Sequence, residues 1–491
     1  MSVNATAANA MAAQFDWARW TALAAGLAAF FFLWFMDAPS PAVDPAGKSF
    51  PLSAQGKAAL GLFLLAAIWW VFNPIPIGVT AIAIGVFQAL FHIRPAKEAF
   101  GDFMDPAVWF IFGSIVIGVA FTKSGLTQRL AYKMLTVVGE KTSAIYLGCL
   151  LVTVALTLVM AHTAVAATIF PVLLAIYSLY GAEERPTRFG KGLFIGMAFA
   201  AGAGSIITLL GSARGIVGIT FFRDITGHRV GFFDIPYYLA PVGLAMTFVI
   251  WGLMLVLFPP ERKRIEGLRE VAQRHYAELG PVKRDEWLTA AIVVGVVLVL
   301  ALQALVPALA TVSRPAILLV TTLLFFILGV LTLKELEEIP WNIILLFGGA
   351  MSIGFCLWQT GAAEWLAVNW LALFQGAHWM LFLMGLAVFI LAMTNIIMNV
   401  AAIAISLPVA LVIAGYLGVS QEVVLYIALT AAGMPFLLLV GAAPNAIAHQ
   451  SGQFTAGEFF RAGIPASLLL MAVLAVAILV IWPLLGMPVR G

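Results

Sequence analysis

Charged residues are scarce in this chain. Asp, Glu, Lys and Arg make up 10% of its 491 residues, whereas hydrophobic residues make up 63%. Soluble domains carry about 25% charged residues. The composition therefore excludes an ordinary soluble domain and predicts an integral, multi-pass protein of the cytoplasmic (inner) membrane. Cysteine is scarcer still: Cys149 and Cys356 lie in apolar runs, which favours packing over a disulfide or a metal site.

Acidic residues are missing from the interior of the apolar runs. Every Asp and Glu lies at the edge of such a run or in a loop. Proton pumps and cation channels usually need a buried or ringed carboxylate, so this pattern disfavours a cation as the main cargo. The sequence also lacks His-Glu-x-x-His and Gly-x-Ser-x-Gly motifs, which disfavours an intramembrane enzyme. We expect the lipid bilayer and a small anionic substrate as partners, and no nucleic acid.

Two polar breaks interrupt long apolar runs, one at His162 and one at Asn399. Residues 162–172 and 399–409 follow these breaks with closely similar sequences, and the same offset aligns two prolines at their ends. A polar break at membrane depth is costly unless it lines a cavity. Corresponding breaks in two halves of a transporter indicate its binding site. We therefore predict that the two breaks form one site.

The apolar runs predict an all-α membrane protein with about 11 transmembrane helices. The predicted regions are an N-terminal segment with the first span, a first repeat, a charged linker and a second repeat, at residues 1–56, 57–258, 259–286 and 287–491. Each repeat contains a helical hairpin, at 143–179 and 379–416. Each also contains a broken helix, at 191–222 and 422–450. The arms of the first hairpin are expected to be about 16 residues long, short for a full crossing, which predicts a re-entrant hairpin.

Two amphipathic pieces, at 128–140 and 362–375, precede the hairpins. The charged linker is either a helical cytoplasmic connector or a solvated loop. With the N-terminus inside, cytoplasmic segments carry roughly twice as many Lys and Arg as external ones, as the positive-inside rule requires. The two hairpins then enter from opposite sides, so the halves are predicted to be inverted repeats.

The polar groups left in the apolar runs are hydroxyls, amides, His162 and Arg214, together with backbone released at helix breaks. Helix N-termini at two hairpin tips and two breaks would direct partial positive charge at one midplane site. Such a site suits a small carboxylate or oxyanion.

The hairpin and broken-helix pattern resembles the divalent anion/sodium symporter family over roughly residues 55–488. Residues 73–81 (Asn-Pro-Ile-Pro-Ile-Gly-Val-Thr-Ala) resemble one family signature, and residues 112–125 resemble another. The family has a Ser-Asn-Thr triplet at each tip, where this chain has Ala-His-Thr (161–163) and Met-Asn-Val (398–400). It has a Thr-Pro-Pro-Asn-like turn in each broken helix, where this chain has Ser-Ala-Arg-Gly (212–215) and Ala-Ala-Pro-Asn (442–445).

The resemblance implies two sodium sites. The first would use Thr157, Ala161, His162 and backbone near Gly211, but alanine has no hydroxyl and histidine replaces an amide oxygen. We expect this sodium to be lost, with Arg214 supplying the positive charge instead.

The second sodium site would use Thr394, Asn399 and backbone near Gly441. These groups supply only neutral oxygens, which is all that sodium requires. Capping of the helix start by Thr394 and Asn399 remains an alternative.

The resemblance also implies an anion site. Its predicted contacts are His162, Thr163, Ser212, Arg214, Asn399, Val400, Pro444 and Asn445. Three roles stay open for His162: a hydrogen bond to the anion, proton coupling, or neutral packing. For Arg214 the alternative is snorkelling or a contact with a helix C-terminus. Because Val400 and Met398 replace hydroxyl residues, a monocarboxylate or an anion with an apolar body is a candidate.

The leading interpretation is a secondary transporter of di- or tricarboxylates or a related organic acid. The family resemblance implies a homodimer in which a hairpin domain moves like an elevator against a scaffold, with the amphipathic pieces as connecting arms. Sodium symport and sodium-independent exchange both stay open, as do sulfate or a monocarboxylate as cargo. A fixed positive charge at Arg214 favours exchange, because the site can close only with an anion bound. An anion channel is the alternative of another class.

Overall fold

The computed structural model describes residues 17–37, 39–43, 48–180, 186–303, 306–371, 378–396 and 398–490. Helices dominate these ranges, and the only strands in them are the antiparallel pair Ala42–Val43 and Ser49–Phe50. An apolar chain in lipid must satisfy its backbone polar groups internally, and the α-helix does so within one segment. Ten described helices are long and apolar enough to cross a membrane. The predicted all-α membrane fold is thus confirmed.

The first half is a series of helices that differ widely in length. They run over Trp17–Phe35, Ala54–Phe72, Ile77–Leu90, Ala96–Gly101, Pro106–Ser124, Leu126–Val138, Thr142–Thr157, His162–Tyr180, Arg188–Ser205, Ala213–Thr226 and Asp234–Leu257, with a 3-10 turn at Asp102–Met104. The helices Pro106–Ser124 and Leu126–Val138 meet at Gly125, whose φ of 85° is readily adopted only by glycine.

The second half follows a similar order. Its helices run over Arg284–Leu302, Pro307–Ala310, Arg314–Ile327, Leu333–Glu337, Trp341–Gln359, Ala362–Leu371, Trp379–Ile396, Asn399–Tyr416, Gln421–Gly433, Ala443–His449 and Ala456–Val476. A 3-10 turn at Leu439–Gly441, a π-helical segment at Ala477–Ile481 and a last turn at Trp482–Leu484 complete it. Part of the amphipathic piece predicted at 362–375 lies outside the described residues.

The first hairpin consists of Thr142–Thr157 and His162–Tyr180, and the second of Trp379–Ile396 and Asn399–Tyr416. In both, the polar residue singled out from the sequence is the first residue of the second arm. The expectation of 16-residue arms is wrong for His162–Tyr180, which has 19 residues, because the helix continues through Pro171. The length argument for a re-entrant first hairpin therefore fails, and its re-entrant course stays a prediction.

The two broken helices interlock the halves. The first stops at Ser205 and resumes at Ala213, and the second stops at Gly433 and resumes at Ala443. The helix Arg188–Ser205 packs against Ala443–His449 of the other half, and Ala213–Thr226 packs against Asn399–Tyr416. Both breaks are therefore held close to both hairpins.

The charged linker is not a solvated loop. It contains the helix Leu268–Glu278, which packs against the amphipathic helix Leu126–Val138. The guanidinium of Arg129 forms two hydrogen bonds with the carboxylate of Glu286, of 2.9 and 3.0 Å, and both side chains are buried. A paired buried charge of this kind fixes the amphipathic helix to the start of the next span.

Candidate functional site

One cavity of about 460 Å³ reaches both hairpin tips and both helix breaks. From the tips it is lined by Ala161, His162, Thr163, Met398, Asn399 and Val400. From the breaks it is lined by Leu209, Ser212, Ala213, Leu439, Val440, Gly441, Ala442 and Ala443. The fold thus brings together the two polar breaks that lie 237 positions apart in the sequence.

Two other helices contribute much of the remaining lining. Pro106–Ser124 contributes Phe110, Ile111, Ser114, Ile115 and Val119, and the start of Trp341–Gln359 contributes Ile343 and Phe347. The hydroxyl of Ser114 donates to the carbonyl of Leu210 at 2.8 Å, so it is already satisfied. No charged side chain is among the described residues that line the cavity.

Both hydrogen-bond donors of His162 face the first break. Its backbone N–H donates to the carbonyl of Gly211 at 3.2 Å, and its Nδ1 lies 3.3 Å from the same oxygen. A carbonyl partner requires the proton to be on Nδ1, which leaves Nε2 of a neutral imidazole as an acceptor only. Neutral His162 therefore positions the break rather than donating to an anion.

Thr163 is the tip residue best placed to contact a solute. It lines the cavity and is half-buried. Among the described residues, no hydrogen-bond partner accepts from its hydroxyl or from its backbone N–H, which belongs to the first turn of a helix. The second tip also lies at a helix start, since the helix there begins at Asn399. Helix N-termini with unsatisfied N–H groups favour anions.

Arg214 lies behind the cavity wall rather than in it. The side chain is 1% exposed, and its guanidinium donates to the hydroxyls of Ser212 at 2.5 Å and Ser205 at 2.8 Å and to the carbonyl of Leu429 at 3.3 Å. None of the ion pairs among the described residues includes it. Ser212 thus separates this positive charge from the cavity, and the groups that accept hydrogen bonds from the guanidinium are all neutral.

At the predicted first sodium positions, Thr157 and the carbonyl of Gly211 have hydrogen-bond partners within the protein. The hydroxyl of Thr157 donates to the carbonyl of Val154 at 2.7 Å. The carbonyl of Gly211 faces both donors of His162. With the proton on Nδ1 of His162, both lone pairs of this carbonyl accept hydrogen bonds, which disfavours it as a ligand for a cation.

At the predicted second sodium site, more oxygens meet than there are protons to share between them. The hydroxyl of Thr394 lies 3.1 Å from Oδ1 of Asn399 and 3.0 Å from the carbonyl of Ala432. One hydroxyl proton makes a full hydrogen bond with only one of the two acceptors, so this group of three oxygens is one donor short. Gly441 packs against the same turn, because a Cβ there would lie 3.1 Å from the carbonyl of Thr394. Neutral oxygens in this arrangement fit a sodium ion.

Pro444 and Asn445 do not line the cavity. The amide of Asn445 donates to the carbonyls of Pro435 at 2.8 Å and Leu438 at 3.1 Å, so it fixes the shape of the second break. Sequence reasoning missed Asn395, whose Oδ1 accepts from the N–H groups of Leu437 and Leu438. Its position beside Thr394, as a second polar residue in an apolar run, was an available signal.

Sequence comparison decides the family. The chain matches the family described as "Sodium:sulfate symporter transmembrane region" over residues 17–488. It belongs to this family. The match covers nearly the whole chain, including both hairpins, both breaks and the linker.

Among its relatives is the sodium-dependent dicarboxylate transporter SdcS of Staphylococcus saprophyticus, 23% identical over 89% of this chain and 88% of the relative. SdcS of Staphylococcus aureus is 24% identical over 88% and 86%. A membrane protein of Cupriavidus necator is 26% identical over 74% and 72%.

Solved transporters share the fold. The MtrF structure of Neisseria gonorrhoeae has a TM-score of 0.59 at 13% identity and covers 93% of this chain and 94% of its own. The Alcanivorax borkumensis YdaH transporter has a TM-score of 0.54 at 13% identity, covering 97% and 98%. The protein is therefore an integral, multi-pass membrane transporter of the sodium:sulfate symporter family.

Proposed function

We propose that this family member is a secondary transporter of small organic anions, di- or tricarboxylates or related acids, across the cytoplasmic membrane. The observation behind the proposal is the single cavity between two hairpin tips, each at a helix N-terminus, with Thr163 free to donate. The helix N-termini would hold the carboxylate, Thr163 and Asn399 would contact it directly, and Arg214 would stabilise its charge through Ser212. His162 and Asn445 would hold the two breaks in place.

Coupling to sodium would use one site. The oxygens of Thr394, Asn399 and Ala432 would bind the ion, whereas the first site would be replaced by the donors of His162 and the charge of Arg214. Sodium dependence of the relatives supports a sodium role at the site that keeps its oxygens. Sodium-independent exchange is the second candidate, and the fixed charge of Arg214 favours it.

Alternating access would follow an elevator motion within a homodimer. In this scheme the hairpins and broken helices move together, because they pack on one another. The helices Pro106–Ser124 and Trp341–Gln359 would belong to the stationary scaffold, and the amphipathic helices Leu126–Val138 and Ala362–Leu371 would be the arms. The buried pair of Arg129 and Glu286 would anchor the first arm to that scaffold.

Counterflow in proteoliposomes tests the proposal. Vesicles preloaded with one unlabelled anion are diluted into trace labelled anion, and a panel of carboxylates and sulfate is compared with and without sodium. A carrier accumulates label only when the internal anion is a substrate. Absence of counterflow for every anion, or unitary currents in a planar bilayer, would refute a carrier and favour an anion channel.

A further inference from the structure

The cavity has two chemically different parts, carried by different elements. The hydrogen-bonding groups that it leaves available lie at the hairpin tips and the first break: the hydroxyls of Thr163 and Ser212, and the Nδ2 of Asn399, whose Oδ1 already faces the hydroxyl of Thr394. The helices Pro106–Ser124 and Trp341–Gln359 contribute Phe110, Ile115 and Phe347, with Ser114 turned to a backbone carbonyl. A solute that fills the cavity must therefore contact both a polar end and an apolar wall.

The second hairpin tip and second break extend the apolar part. Met398 and Val400 flank Asn399 in the cavity lining. Val440, at the second break, lines the cavity and is 71% exposed. An exposed apolar side chain inside a binding cavity gains free energy when an apolar group covers it.

Charge limits the solute further. No charged side chain lines the cavity within the described ranges, and the one nearby cation, Arg214, acts from behind Ser212. A carboxylate placed against Phe110 or Phe347 would lose its hydration without gaining a donor, which is costly. A second carboxylate on the far side of the solute is therefore unfavourable.

From this cavity we infer that the substrate is an organic anion with one carboxylate and an apolar body of several carbons. The inference rests on the proposed carrier function and, among the small organic anions proposed there, selects a related monocarboxylic acid over a di- or tricarboxylate. The carboxylate lies at the hairpin tips, and the alkyl or aryl body lies against the wall formed by Phe110, Phe347 and Val440. A volume of about 460 Å³ falls in the range of pockets that enclose ligands larger than a four-carbon acid.

Matched acids test the inference by competition against counterflow of whichever labelled anion the carrier accumulates. Hexanoate is paired with adipate and butyrate with succinate, so that each pair has equal carbon number and differs in the second carboxylate. Hexanamide, which is uncharged, shows how much the single carboxylate of hexanoate contributes to binding. Vesicles without protein correct for partition of the acids into lipid. Each buried methylene should improve affinity about four-fold, so hexanoate should compete about 15-fold better than butyrate. We expect the competitive advantage of hexanoate over adipate to be at least as large as its advantage over butyrate.

Two isosteric substitutions assign the effect to the cavity. Val440→Thr should reduce the advantage of hexanoate over butyrate by about four-fold, because it places a hydroxyl where the methyl of the valine contacts the body of the solute. Val476→Thr, on the last long helix and outside the cavity, is the matched control and should leave the advantage unchanged.

The outcomes separate the two proposals. Counterflow with adipate or succinate as the better competitors, or no dependence on chain length, would overturn the inference and leave the carrier function intact. An unchanged hexanoate advantage in Val440→Thr would also overturn it. Loss of counterflow for all acids would overturn the carrier function and this inference with it.

Discussion

Neutralising Arg214 should weaken anion binding without unfolding the protein. Arg214→Met removes a buried cation that is paired only with two hydroxyls and a carbonyl. Of these, the hydroxyl of Ser205 still donates to the carbonyl of Gly202 at 2.6 Å, so it keeps a partner after the substitution. Burying an ion without a counter-ion costs several kcal/mol. The melting temperature of the anion-free variant should therefore equal or exceed that of the wild type.

The expected loss of binding free energy follows from Coulomb's law. Opposite unit charges about 6–8 Å apart attract by about 2–3 kcal/mol at an effective dielectric constant of about 20. Using the lower value, Arg214→Met should raise the anion Kd about 30-fold. Arg214→Lys keeps the charge but loses the planar fork, so it should retain more affinity than the methionine variant. Arg214→Gln should behave like the methionine variant.

Titration calorimetry on the purified protein measures these values, with thermal unfolding of the anion-free variants as the companion assay. Because a buried charge is poorly screened, the difference between variant and wild type should persist when salt rises from about 50 to about 500 mM. Wild-type affinity in Arg214→Met would refute the role assigned to this charge. A fall in melting temperature together with lost binding in all three variants would instead indicate a packing role.

Three further predictions follow from other contacts. Gly433→Ala puts a Cβ 2.5 Å from Nη2 of Arg214, so it should weaken anion binding in calorimetry, whereas Gly415→Ala, which meets nothing closer than 4.0 Å, should not. Thr394→Val removes the hydroxyl from the three-oxygen group and should abolish any stimulation of uptake by sodium; stimulation equal to wild type would exclude this site. Hydrogen bonds from its lysine and threonine partners lower the pKa of Glu335 to about 2 from 4.5. The stability that the ionised carboxylate contributes should be complete above about pH 4.5 and be lost as pH falls towards about 2, so Glu335→Gln should flatten the melting profile in that window.

Local sequence patterns predicted much of the fold. Helices, breaks and hairpin turns follow from apolar periodicity and from polar, glycine and proline residues within a few positions, and the helices begin at His162 and Asn399 as the pattern indicates. The apolar wall was not predictable in this way. Phe110 and Phe347 belong to helices with apolar residues on nearly every side, so the sequence does not indicate which side faces a cavity.

Side-chain direction was equally hard to predict. The sequence marks Arg214 and Asn445 as polar residues at breaks, but a single residue at a break can face the solute or hold the turn. Partners outside the residue's own turn make the choice: Leu429, in the other half, and Ser205, across the break, hold Arg214 behind the wall, and Pro435, across the second break, accepts from Asn445. Such partners depend on how the chain folds back at each break and on packing between the halves, which one sequence does not reveal.

The fixed cation has a consequence for flux. When the anion leaves, Arg214 stays buried with neutral partners, whereas a bound sodium ion could leave with the solute. Moving the empty binding site across the membrane then requires more free energy than moving the anion-loaded site. Exchange of internal for external anion should therefore be faster than net uptake into anion-free vesicles. Arg214→Met should bring the two rates closer together at saturating anion, since the empty site no longer holds the charge. Equal rates of exchange and net uptake in the wild type would show that the charge does not control the return step.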